Sequence, residues 1–209
     1  MLHRKSLYFL LKSAGLALCL TIVQTSVATA QIETNPLLKK SSVAGDSVYQ
    51  LNANMTDQNG RDFKLNERRG QPVIVSMFYN SCTFVCPMLI DTMRLTEQSL
   101  SPDERAQLKL LLITFDPQRD QVKDLKFIAE KRELNTAHWT LARTEASSTR
   151  KIAAMLGIQY RLLADGDYNH TTILILLDRE GKPVARTKKM GTLDPDFIQK
   201  VKQTIHAVN

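Results

Sequence analysis

The chain has 209 residues, 43% hydrophobic and 23% charged, with 8 Gly and 7 Pro. These figures exclude a collagen-like or low-complexity protein and fit one globular domain able to bury its own core. The formal charge is +7, but the cations fall in scattered pairs without interleaved aromatics (Lys39-Lys40, Arg68-Arg69, Lys188-Lys189), which argues against nucleic-acid binding.

Residues 1–30 have the three-part layout of a cleavable secretory signal. Arg4, Lys5 and Lys12 give a positive start with no acid, Ala14 to Val23 is mostly apolar, and Ala28-Thr29-Ala30 offers small residues for cleavage. The apolar run is too short to span a bilayer, which takes about 20 residues. Loss of the three cations lowers the formal charge from +7 to +4 and removes Cys19. The expected product is a periplasmic protein with two cysteines, Cys82 and Cys86, in an oxidising compartment.

Residues 31–46 lack a period and read as a flexible leader to a domain spanning 47–209. Val48 to Leu51 reads as a short strand. Thr56 to Phe63, TDQNGRDF, centres on Asn59-Gly60, a hairpin signal. Val73 to Tyr79, VIVSMFY, is a continuous apolar run of the kind buried on both faces of a sheet. Pro87 to Leu100 reads as a helix with Pro87 at its first position and Ser101-Pro102 ending it. Leu108 to Phe115 is a second buried strand, stopped by Asp116-Pro117. Val122 to Arg132 is helical, Trp139 to Ala142 a short strand, and Ser147 to Leu156 a helix closed by Gly157. Thr171 to Leu177, TTILILL, is a third buried strand. Val184 to Thr187 returns antiparallel to it, and Pro195 to Val208 is the last helix. Strands alternating with helices, then a hairpin and a final helix, predict an α/β sandwich around a mixed sheet.

"YNSCTFVCPM", Tyr79 to Met88, lies between the first buried strand and its helix, where open α/β sheets gather ligands. A residue before proline is pushed out of the helical region, so Cys86 is expected at the helix cap with Cys82 in the loop ahead. A helix N-terminus favours a thiolate, which predicts a reactive pair. Three chemistries are open. A structural disulfide would close a very short loop and gain little. A redox couple is possible, although three residues intervene where the common C-x-x-C motif has two. Two thiolates and an imidazole would make a soft site suited to copper. Of the histidines, His3 leaves with the signal, and His138 and His206 sit where surface residues are expected. His170 lies in the polar stretch GDYNHTT just before a strand.

Several segments in order resemble the Sco/SenC family of copper chaperones, which serve cytochrome c oxidase assembly. They are MTDQNGRDF (Met55 to Phe63), GQPVIVSMFYNSCTFVCPM, LLITFDPQRD (Leu111 to Asp120) and YNHTTILILLDREGKPV (Tyr168 to Val184). The resemblance implies a thioredoxin-like sandwich with an N-terminal β-hairpin and a closing antiparallel hairpin. It implies Cys82 and Cys86 as thiolate ligands and His170 as imidazole ligand for copper, as Cu(I), Cu(II) or both. Asp116 matches the family's Asp-Pro acid, expected to orient the site or help dock the oxidase, although a strand-ending turn explains it equally well. The implied partners are a copper-receiving subunit of a respiratory oxidase and, beyond it, a thiol reductant or copper donor. Two rival functions use some of the same residues. A metal-independent thiol–disulfide reductase would need the cysteines but not His170. A copper store or stress protein would use all three.

Overall fold

The computed structural model describes residues 47–82 and 85–207. The signal and leader segments expected over 1–30 and 31–46 lie outside the described residues. The main sheet has seven strands in the order β2-β1-β5-β4-β3-β8-β9. At its centre run three parallel strands: β3 (Val73–Phe78), β4 (Lys109–Thr114) and β5 (Trp139–Thr144). Around them, β1 (Asn54–Asp57) pairs antiparallel with β5 and with β2 (Asp62–Lys64). On the other side, β8 (Leu174–Leu177) runs antiparallel to β3 and pairs with β9 (Pro183–Thr187). The sheet is therefore mixed, with an N-terminal hairpin and a closing hairpin, as expected.

The apolar runs are placed as their composition demands. All six residues of β3 and all four of β8 are buried, as are the last five of β4. Covering these faces withdraws large side chains such as Phe78, Met77, Leu112 and Trp139 from water, each contributing about 1.5–3 kcal/mol. The covering elements are α1 (Val85–Gln98), α2 (Pro102–Gln107), α3 (Val122–Lys131), α4 (Ala146–Leu156) and α5 (Pro195–His206). Gly157 ends α4 at φ 67°, a left-handed turn that glycine enters without a Cβ penalty.

Four expectations are corrected. Val48–Gln50 is a 3-10 turn rather than a strand; the Ser47 hydroxyl accepts the Tyr49 N–H and caps it. Ser101 does not simply end a helix. It opens α2 with a capping box, exchanging hydrogen bonds with Glu104. The first helix begins at Val85, so Cys86 lies inside its first turn rather than at the cap. Pro87 permits this because the first-turn N–H groups have no intrahelical acceptor to lose. Finally, His170 is not in a loop leading straight into β8. It ends β7 (Tyr168–His170), which pairs antiparallel with β6 (Tyr160–Leu162) in a separate two-stranded sheet. The polar, solvent-facing composition of both short strands hid their pairing.

Candidate metal centre

The parallel strands β3 and β4 end side by side, with Phe78 opposite Thr114. Just beyond, the chain leaves β3 through Tyr79 and turns at Cys82, whose N–H donates to the Tyr79 carbonyl at 3.4 Å. The Cys86 N–H donates to Cys82 Sγ at 3.2 Å, so an early N–H of α1 is spent on the thiol sulfur. Cys86 is buried, at 3% exposure, and Cys82 half-buried. The two sulfurs are not bonded to each other.

The β6–β7 hairpin brings His170 to the same place. One donor atom each from Cys82, Cys86 and His170 lies within 4.8 Å of the others. His170 Nδ1 is 3.3 Å from the Thr171 carbonyl oxygen. A carbonyl only accepts, so this contact favours the proton on Nδ1 and leaves Nε2 as the electron-pair donor. Two sulfurs and one imidazole nitrogen form a soft donor set of the kind that holds Cu(I) or zinc rather than magnesium or calcium. His138 and His206 are elsewhere, paired with Glu97 at 3.0 Å and Glu104 at 3.1 Å.

The electrostatics correct one expectation. The Cys86 thiol is pushed up, first by its hydrogen bond with Cys82 and then by burial. The hydrogen bond shared with Cys82 and the loss of water around the sulfur both favour the protonated form. A positive ion between the two sulfurs would reverse the balance, because it displaces the shared proton.

Two acids follow β4. Asp116 is 5% exposed and bonds Arg119 Nε through its carboxylate. Arg119 in turn donates from Nη1 to the Gly166 carbonyl at 2.8 Å and lies over the Tyr168 ring at 5.3 Å. Asp116 is thus a brace between β4 and the histidine hairpin. Asp120 closes the Asp-Pro-x-x-Asp pattern within LLITFDPQRD, but no role was assigned to it from the sequence. It is 3% exposed, and its carboxylate accepts the Asn80 N–H at 3.0 Å and the Thr114 hydroxyl. Burial pushes its pKa up, opposed by these two hydrogen bonds. Its position four residues after Asp116 was the available signal.

Aromatic rings fill the space between hairpin and sheet. Phe115 stacks on Tyr160 at 5.0 Å, and His170 lies 5.0 Å from Phe115 and 5.7 Å from Tyr79. The Tyr79 hydroxyl donates to Asp167 in the hairpin turn. Burial and this bond hold the phenol well above its ordinary pKa, so it stays a donor. On the other flank, a groove of about 560 Å³ runs from Cys82 and Cys86 past Pro87 to Phe127, Lys131 and Arg132. Phe127 is 58% exposed.

Comparison with known proteins places this arrangement. The fold is similar to that of a SCO1/SenC family lipoprotein from Bacillus anthracis Ames, with a TM-score of 0.64 and 22% identity. That similarity covers 74% of this chain and 96% of the other. Yeast Sco1 with copper bound gives a TM-score of 0.62 at 18% identity, over 75% of this chain and 88% of that one. A Stutzerimonas stutzeri protein named "Putative copper-binding protein" is 35% identical over 72 residues. The match spans only 35% of that protein's length and 34% of this chain. Among the described residues no helix is long and apolar enough to cross a membrane. Residues 45–206 match the family described as SCO1/SenC, which takes in every described strand and helix and all three donors, and the chain belongs to that family.

Proposed function

We propose that the protein binds copper through Cys82, Cys86 and His170 and delivers it, in the periplasm, to the dinuclear copper site of a respiratory oxidase. The observation that carries this reading is the convergence of two thiols and an imidazole within 4.8 Å, on elements far apart in sequence. A purely structural disulfide would need no histidine there, and neither would a simple dithiol reductase. A three-ligand site suits a carrier, because an incoming thiolate can add to the ion before an original ligand leaves. The groove beside the thiols gives a receiving segment an approach from solvent. Copper is the cargo, and Cys82 and Cys86 carry it only as thiols. Joining them in a disulfide removes both sulfur donors and switches the carrier off.

A second reading keeps the same cysteines. Reduced Cys82 and Cys86 attack the oxidised cysteine pair of the receiving subunit through a mixed disulfide. They end as a Cys82–Cys86 disulfide while the target gains two thiols, so two electrons and two protons pass across. The half-buried Cys82 beside an open groove favours it as the attacking sulfur.

The test mixes the reduced, copper-loaded protein with the reduced soluble domain of the copper-receiving oxidase subunit. The two proteins are then separated and the copper carried by the receiving domain is measured. Delivery predicts that this copper appears with wild type and is lost with His170→Ala. The reductase reading predicts that metal-free protein reduces the oxidised domain, and that His170→Ala does so at the same rate. If neither signal appears, the delivery reading is wrong.

A further inference from the structure

We propose that Tyr79, Asp167 and Arg119 are positioning residues for the third donor, holding the β6–β7 hairpin so that His170 meets the two thiols. The inference rests on the copper-binding reading but concerns how this chain builds the site. The two cysteines are placed by the main body. They leave β3 and enter α1, and both of those elements are part of the main body. His170 belongs to a two-stranded sheet that shares no strand pairing with the seven-stranded one. Its backbone bonds close on themselves: Leu163 N–H to the Asp167 carbonyl and Thr171 N–H to the Gln159 carbonyl, both at 2.8 Å. Only Thr171 to Ile173 join it to β8, and side-chain contacts then fix where its turn sits.

Two side-chain hydrogen bonds reach the hairpin turn from the ends of β3 and β4. Tyr79 donates its hydroxyl to Asp167, and Arg119, clamped by Asp116, donates to the Gly166 carbonyl. They grip consecutive residues, three and four positions before His170, and Arg119 also covers the ring of the next residue, Tyr168. Tyr79 is the pivot. Its carbonyl accepts the Cys82 N–H, its ring lies edge-on to His170 at 87°, and its hydroxyl holds the turn. One residue thus touches the thiol loop and the imidazole arm. Its ring is buried, and a buried tyrosine hydroxyl needs a partner. Asp167, which is itself exposed, supplies it.

The test is a double-mutant cycle on copper affinity with the full chain in reduced form, using Cu(I) and a competing chelator. Tyr79→Phe keeps the ring and removes one charge-assisted hydrogen bond. Asp167→Ala removes the same bond from the exposed side and guards against a folding defect in the first variant. Each is expected to weaken copper about tenfold or more and to lower the nitrogen contribution in X-ray absorption while leaving both sulfurs. In a His170→Ala background, Asp167→Ala is expected to have no further effect, because Asp167 acts only through that histidine. An equal loss in both backgrounds overturns the proposal, and so does an unchanged nitrogen shell in the single variants. If wild type takes no copper through two sulfurs and a nitrogen, the function reading fails separately. Positioning is then read from amide exchange of residues 160–171 in the metal-free protein. Faster exchange in Tyr79→Phe supports it, and unchanged exchange overturns it.

Discussion

The two halves of the donor set are built differently. The thiol half is part of the main body: Cys82 and Cys86 follow a fully buried parallel strand and open a fourteen-residue helix. Asp120, also buried, fastens the loop through the Asn80 N–H. The imidazole half is an arm of two three-residue strands with mostly exposed or half-buried residues. Short, solvated hairpins are marginal on their own and depend on what they pack against. In the proposed copper site the thiol half would fix where the metal sits, and the arm would supply the ligand made or broken at least cost. For a carrier this division is useful, since the ion must be held and then released.

The comparison can be broken most severely at the thiols. Cys86→Ser replaces a soft donor with a hydroxyl and is expected to abolish tight Cu(I) binding, with affinity falling by on the order of a thousandfold or more. His170→Ala should weaken binding less, leaving a two-sulfur site. Titration with a competing chelator distinguishes these outcomes, and equal losses would contradict the division of roles.

The pH dependence sharpens the same contrast. Because the Cys86 thiol is held above its ordinary range by Cys82 and by burial, it carries a proton at neutral pH that the metal must displace. Apparent Cu(I) affinity should therefore rise with pH through the neutral range, by about tenfold per unit for each proton released. In Cys86→Ser that slope should fall by one proton. An affinity independent of pH in wild type would remove the assigned cause.

Asp120 tests the fastening of the rigid half. Asp120→Ala leaves the Asn80 N–H and the Thr114 hydroxyl without their acceptor. The expected loss is about 1–3 kcal/mol of folding stability in urea unfolding, together with weaker copper binding through the sulfurs. The smallest effect is visible without any mutation. Amides of residues 160–171 should exchange faster than those of β3 and β4 in the metal-free protein, and slow on copper binding. Uniform protection would mean the arm is as rigid as the sheet.

The thiol half was also the more legible in the sequence. Continuous apolar runs such as VIVSMF and LILL read as buried strands by their length and β-branched content, and a Cys-x-x-x-Cys-Pro at the end of one of them marks a site on chemical grounds. The Asn59-Gly60 hairpin and the Gly157 helix end were readable because their backbone conformations favour those residues. The arm was not readable in the same way. Tyr160–Leu162 and Tyr168–His170 have no apolar alternation to announce them, and what fixes them is tertiary: a buried phenol, an arginine braced by Asp116, and rings packed against Phe115. For that reason His170 could be named from family resemblance, but its dependence on Tyr79, Asp167 and Arg119 required the structure. The cap position of Cys86 failed for a related reason. The preference of a residue before proline is local and weak, and the packing of α1 against the sheet overrode it.

The most direct test of the account is X-ray absorption at the copper edge on the reduced, copper-loaded protein, wild type beside His170→Ala. The account predicts two sulfurs and one imidazole nitrogen in wild type, and two sulfurs without that nitrogen in the variant. A wild-type spectrum lacking either sulfur, or a nitrogen shell that persists when His170 is gone, would contradict it.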